Sequence, residues 1–192
     1  KGLRPANSIW LWGSGEKSEM PSFESKFGVK GAVISAVDLI KGIGKLTDMK
    51  VCEVKGATGY IDTDFGAKAQ AAIEEYKNGT ELVYLHVEAP DECGHRFEAQ
   101  NKIRAIELID SLVLKPVKEY LDSTGENYRI LILPDHATPL ELKTHVSDPV
   151  PFVLYEKESE KDSGISTINE ETAVISGVFV EEGVRIMEYL VK

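Results

Sequence analysis

Two cysteines in 192 residues, Cys52 and Cys93, are too few for a disulfide framework, and they fit a reduced, cytoplasmic setting. No apolar run approaches the length of a membrane-spanning helix, and no secretory signal pattern is visible. Positive charge is scarce: 22 Lys and Arg stand against 32 Asp and Glu, a formal net charge of −10. That balance argues against nucleic acid or an anionic membrane as a partner. An anionic substrate would need positive charge concentrated locally, from metal ions or a few placed Lys and Arg. Internal repeats and low-complexity tracts are absent. A phosphate loop is absent too: Gly42-Ile43-Gly44-Lys45-Leu46-Thr47 has part of the pattern, but Leu39 stands where its first Gly is needed. The chain opens on Lys1-Gly2-Leu3-Arg4-Pro5 rather than Met, which reads as a piece of something longer.

What is present is the balance of a soluble globular domain, 42% hydrophobic and 28% charged, and residues 1–192 read as a single α/β unit able to bury a core. Strands are expected at 31–37, 50–54, 82–87, 129–133 and 152–155. A short helix or turn is expected at 39–46, and helices at 67–77 behind the capping segment Asp62-Thr63-Asp64, at 98–121, and at 178–191. Strands alternating with helices predict a mainly parallel sheet flanked by helices. One connection breaks the rule. Pro134, Pro139, Pro149 and Pro151 leave no room for a crossover helix between 133 and 152. The 152–155 strand is therefore expected to run antiparallel to 129–133.

All four histidines, His86, His95, His136 and His145, lie between residues 86 and 145. Ligands of open α/β sheets gather beyond the carboxyl ends of the strands. Asp91 and His95 follow the third strand, and Asp135 and His136 follow the fourth at once. An antiparallel fifth strand brings His145 to the same edge. Asp91 and His95 are spaced to share a helix face, and carboxylate with imidazole suits a divalent metal such as Zn²⁺ or Mn²⁺. Taken singly, each pair also reads as a surface pair or a turn residue; their convergence is what points to a metal site. His86 reads as a packed or supporting residue and Cys93 as a small buried one. Lys41 and Arg4 are cations that could serve the site or simply be solvated.

Placed in order, these segments resemble a family. Arg4-Pro5-Ala6-Asn7-Ser8-Ile9-Trp10-Leu11-Trp12-Gly13 is similar to the opening of the second half of the archaeal-type, cofactor-independent phosphoglycerate mutases. Val87-Glu88-Ala89-Pro90-Asp91-Glu92-Cys93-Gly94-His95, Leu133-Pro134-Asp135-His136-Ala137-Thr138-Pro139 and Thr144-His145-Val146-Ser147-Asp148-Pro149 resemble their metal motifs. Some bacterial members carry the label of proposed homoserine kinase. The resemblance implies the alkaline phosphatase superfamily fold and two divalent ions, Mn²⁺ or Zn²⁺, with Co²⁺ or Mg²⁺ as further options, and no 2,3-bisphosphoglycerate. Asp91, His95 and His145 would bind one ion; Asp135 and His136 would share the other with an Asp and a nucleophilic Ser from an amino-terminal part that nothing in this chain matches. Lys41 would be a catalytic cation and Arg4 a substrate-binding one. The implied reaction interconverts 3- and 2-phosphoglycerate through a phosphoserine. A related phosphohydrolase, phosphopentomutase or homoserine kinase would use the same metals. A metal- or partner-binding module without activity is the reading from a different class. The missing part of the same enzyme would be the chain's natural partner, and apolar surface left bare without it would favour a homodimer.

Overall fold

The computed structural model describes residues 2, 5, 7–11, 13–16 and 18–191. A short helix α1 (Phe23–Phe27) precedes β1 (Gly31–Ile34), α2 (Asp38–Leu46), β2 (Lys50–Cys52), α3 (Phe65–Lys77) and β3 (Leu82–Leu85). The three strands form a parallel sheet in the order β2-β1-β3. β1 is the central strand, which is why Ala32, Val33 and Ile34 are its most deeply buried residues and why its sequence is unbroken in apolarity. α3 starts where expected: the Asp64 carboxylate accepts a hydrogen bond from the Ala67 amide at 2.8 Å.

The second half continues with α4 (Ala89–His95), α5 (Ala99–Ile109), a π-helical turn (Asp110–Leu114), α6 (Lys115–Thr124), β4 (Arg129–Ile132) and β5 (Val153–Glu156). The sequence predicts one helix over 98–121, and the chain runs helically from 99 to 124 with a widened turn in the middle. Pro116 has no amide proton, and its ring would press on the carbonyl four residues back. The wide turn opens that spot, with the Lys115 amide bonding to the Asp110 carbonyl. Phe65 and Ala69 of α3, Ala89 of α4, Ala105 of α5 and Val113 of the π turn make the main core, with Leu85 and Val87 packed against it. The junction between β3 and α4 is thus held by the core on its inner side.

β5 pairs antiparallel with β4, Arg129 opposite Glu156 and Ile132 opposite Val153, as the prolines of the connection require. Two expectations need correcting. First, among the described residues β4 and β5 form a ladder of their own rather than joining the β2-β1-β3 sheet. Although β4 is apolar on both faces, all four of its residues are only half-buried. Secondly, residues 178–191 are not one helix. α7 (Glu170–Ser176) begins at a capping box in which Asn169 and Thr172 exchange bonds, and ends at Gly177 with φ 68°. A 3₁₀ turn (Gly183–Arg185) and α8 (Ile186–Val191) follow. Gly177 and Gly183 interrupt the apolar periodicity where a helix would need continuity. No helix among the described residues is long and apolar enough to cross a membrane.

The Asp64 cap gives a direct test of how α3 is held. Asp64→Ala should lower stability by about 1 kcal/mol, read as a shift of the urea midpoint at unchanged slope.

Candidate metal centre

Because 87–95 closes into the helix α4 over Ala89–His95, Asp91 and His95 lie one turn apart on the same face: His95 Nε2 lies 3.3 Å from Asp91 Oδ2. Pro90 occupies the first turn, where a missing amide costs nothing. The loop after β4 brings in the rest. An isolated antiparallel bridge between Ala137 and Val146 fixes His136 and His145 on facing segments. Their rings stack with centroids 3.7 Å apart. His145 Nε2 is 3.0 Å from His95 Nε2 and 3.4 Å from Asp91 Oδ1; His136 Nδ1 is 4.0 Å from the same oxygen. Ligand-capable atoms of Asp91, His136 and His145 all lie within 4.8 Å of one another. Asp135 stands at the margin, more than half exposed, with Oδ2 3.6 Å from His136 Nε2.

Hydrogen bonds around the cluster decide which ring nitrogens are available. His95 Nδ1 sits 2.9 Å from the Lys143 carbonyl oxygen, which can only accept. Nδ1 therefore carries the proton, and the neutral ring presents the Nε2 lone pair to Asp91 and His145. This carbonyl also pushes the His95 pKa up, with Asp91 and Glu92 acting in the same direction and burial opposing them. Lys143 adopts φ 55° and Phe97, two residues after His95, φ 59°. Both are bulky side chains in the left-handed region, a local strain that the surroundings must maintain. The Lys143 ammonium lies over the Phe97 ring at 5.1 Å, tying the two strained residues together. Thr138 donates its hydroxyl proton to Asp91 Oδ1, and its carbonyl accepts from Lys102 Nζ at 2.9 Å. Gly94 makes that approach possible, since a Cβ there would come within 2.7 Å of the Thr138 carbonyl oxygen.

The donor set suits a divalent ion. One carboxylate and three imidazoles converge, with a carbonyl holding one imidazole in the ligating tautomer, as is common behind metal-bound histidines. Asp91, His95, His136 and His145 could hold such an ion between them, and Asp135 could reach a second beside His136. The family resemblance implies that Asp91, His95 and His145 hold one ion and Asp135 and His136 another, whereas the geometry draws His136 in beside Asp91 and His145. Glu88, Asp91 and Glu92 also lie close together at the start of α4. Lys41 is elsewhere: its ammonium pairs with Glu53 at 3.1 Å and reaches none of the cluster. Arg4 lies outside the described residues. His86 is the supporting residue expected, its Nδ1 3.1 Å from Ser35 Oγ and its pKa lowered by burial. Thr138, Lys102 and the Lys143 carbonyl were not legible as parts of the site. Thr138 lies within the 133–139 motif, which is the one signal that could have drawn attention to it; a backbone carbonyl leaves no mark in the sequence.

Fold and cluster together define an α/β domain with a group of side chains that could hold a metal ion at the carboxyl edge of its strands. The chain belongs to the Metalloenzyme superfamily, which it matches over residues 4–189. It is similar to a probable 2,3-bisphosphoglycerate-independent phosphoglycerate mutase of Geobacter sulfurreducens, 50% identical over 190 residues, which are 99% of this chain and 47% of that protein. A 2,3-bisphosphoglycerate-independent phosphoglycerate mutase of Methanothrix thermoacetophila is 53% identical over 153 residues, 80% of this chain and 39% of its own length. A solved structure from Pyrococcus horikoshii shares the fold with a TM-score of 0.76 at 28% identity, covering 88% of this chain and 50% of that one. The chain thus spans about half the length of the curated relatives it matches.

The raised pKa of His95 makes a signed prediction for the metal-free protein. The folded state holds the proton more tightly than the unfolded chain, so this stabilisation is full below the unfolded value and fades as pH rises through the folded one. The gap in melting temperature between wild type and His95→Gln should therefore be largest below the ordinary histidine value of about 6.5 and shrink as pH rises above it; a gap that widens would contradict the assignment.

Proposed function

We propose that this chain is the metal-binding part of a phosphoglycerate mutase that interconverts 3- and 2-phosphoglycerate, with the phosphoryl group carried by a serine on the other half of the enzyme. The observation that carries this reading is the convergence of Asp91, His95, His136 and His145 from segments far apart in the chain, in a chain that spans about half the length of relatives named phosphoglycerate mutase. Two divalent ions held there would neutralise a phosphate and favour in-line displacement at phosphorus. The chain's own groups hold the site in shape. Thr138 fixes the rotamer of Asp91 by its hydroxyl bond, and Lys102 holds Thr138 in turn. The Lys143 carbonyl sets the His95 tautomer, and the ring stack sets the angle between His136 and His145.

The nucleophile belongs to the other half. Ser35 Oγ accepts the Val37 amide at 3.0 Å and bonds the His86 ring, which removes it from the cluster. Ser147 lies exposed in the loop beyond His145. β3 and β4 each have an edge without a ladder partner among the described residues. A strand of the other half pairing at those edges would cover β4 and carry the missing Asp to Asp135 and His136.

Two consequences can be measured. Calorimetric titration of the isolated chain with Mn²⁺ or Zn²⁺ should show one tight site, and His145→Ala should weaken it by about tenfold or more. Equal binding by the variant would remove His145 from the ligand set. Full-length enzyme should convert 3-phosphoglycerate to 2-phosphoglycerate in a coupled assay while residues 1–192 alone show no turnover. Phosphate release without 2-phosphoglycerate would replace the mutase reading with a phosphohydrolase, and turnover by the isolated chain would place the nucleophile within it.

A further inference from the structure

Lys68 stands on the buried face of α3 with 0% of its surface exposed, and no other Lys or Arg among the described residues is classed as buried. A buried ammonium loses several kcal/mol of hydration unless it gains partners, and a Met of similar shape would pack at this position without that loss. Burial pulls the Lys68 pKa down to about 8, so near neutral pH the group is still largely charged. Its charge must therefore be offset by what it touches, and what it touches is the junction that launches α4.

The ammonium donates to the His86 carbonyl at 3.2 Å, at the end of β3. Two residues further on, Glu88 faces it electrostatically: burial, Glu92 and Asp91 push the Glu88 pKa up, while Lys68 pulls it down. The Glu88 carbonyl in turn accepts the amides of Asp91 at 2.9 Å and Glu92 at 3.2 Å, forming the first turn of α4. Gly59 closes the far side, where a Cβ would overlap Glu88 Oε2. From the other face the His86 ring is bonded to Ser35 at the end of β1. The strand end that leads directly into the cap residue and first turn of α4 is thus held by one buried cation.

We infer that Lys68 is a positioning residue for the metal centre, its buried ammonium pinning the His86 carbonyl at the end of β3 so that α4 presents Asp91 and His95 in register with His145. The inference rests on the metal-centre reading above for its consequence, though not for its geometry. Three acidic side chains crowd the start of α4, and without an internal cation their repulsion acts directly on the turn that carries Asp91. Lys68 supplies that cation from behind, leaving the outward side of Asp91 to its ligand partners.

The test uses full-length enzyme carrying Lys68→Met, Glu88→Gln and both together. Lys68→Met should keep the far-UV circular dichroism of the wild type, bind Mn²⁺ about tenfold more weakly and lower kcat with little change in KM. Glu88→Gln should weaken Mn²⁺ binding as well, and the double variant should lose less than the sum of the two single losses, since both charges act on the same turn. Hydrogen exchange across residues 86–96, which needs no metal, should quicken about tenfold in Lys68→Met while β1 stays protected. Wild-type exchange and wild-type Mn²⁺ affinity in Lys68→Met would overturn the inference, as would fully additive losses in the double variant. Should Lys68→Met not fold, Glu88→Gln decides the matter: quicker exchange over 86–96 supports it and unchanged exchange overturns it. If wild-type enzyme bound no Mn²⁺, the metal-centre reading would fail, and the exchange experiment would still decide the role of Lys68.

Discussion

The Asp91 carboxylate is the point on which the site depends. Its Oδ1 accepts the Thr138 hydroxyl and lies within 4.0 Å of nitrogens from both His145 and His136, while Oδ2 faces His95 on the next turn. Four residues from three segments therefore meet at one small anion. Without it, the three imidazoles would meet one another only through stacking and one Nε2–Nε2 contact, with the Lys143 carbonyl and Thr138 holding His95 and His136 from outside. With it, either a shared proton or a cation at the centre completes the arrangement, and proton and metal compete for the same lone pairs. The remainder of the second half can be read as support for this point. α5 supplies Lys102 to hold Thr138, the Ala137–Val146 bridge aligns the two loop histidines, and Lys143 accepts strain to aim its carbonyl at His95.

The overall charge sharpens the need for such a centre. A chain at −10 repels phosphate from a distance, and the cluster itself adds Asp91 and Asp135 to that field. A phosphorylated substrate would approach these residues only after cations had been concentrated there. Neither Lys102 nor Lys41 is free for that purpose: one is committed to the Thr138 carbonyl and the other to Glu53. The acidic composition and the His/Asp donor set thus point to the same requirement from different scales.

How much of this was legible in the sequence depended on whether the signal was local. The Asp64 cap, the 65–77 helix and the central apolar strand follow from neighbours in the chain, and they fell where composition and spacing put them. The antiparallel β5 was legible for a similar reason, since four prolines between 133 and 152 leave only a short return. The Asp-x-x-x-His spacing of 91 and 95 needs only one helical turn. What failed was long-range. The 178–191 pattern satisfied a helical period, but Gly177 and Gly183 cut it, and the caps at Asn169 and Thr172 moved the helix upstream. The apolar sequence of β4 signals cover on both faces, whereas the described residues cover it only in part. Thr138 and the Lys143 carbonyl act through tertiary contacts that no spacing records.

That last mismatch between sequence and burial is informative in itself. β4 carries Asp135 and His136 at its carboxyl end, just as β3 leads to Asp91 and His95, so both strands deliver ligands to one place. Yet their ladders remain separate among the described residues. The cluster is then held by side chains and loop contacts rather than by backbone pairing between the two sheets. His136 and His145 are the residues most affected, because they depend on the β4–β5 loop for their position. Asp91 and His95 are anchored on the other side through α4 and the core. The two groups of ligands are therefore held with unequal stiffness. A strand that joined β3 to β4 would remove the difference by making the two sheets one, and it would do so at the edge where the ligands already converge.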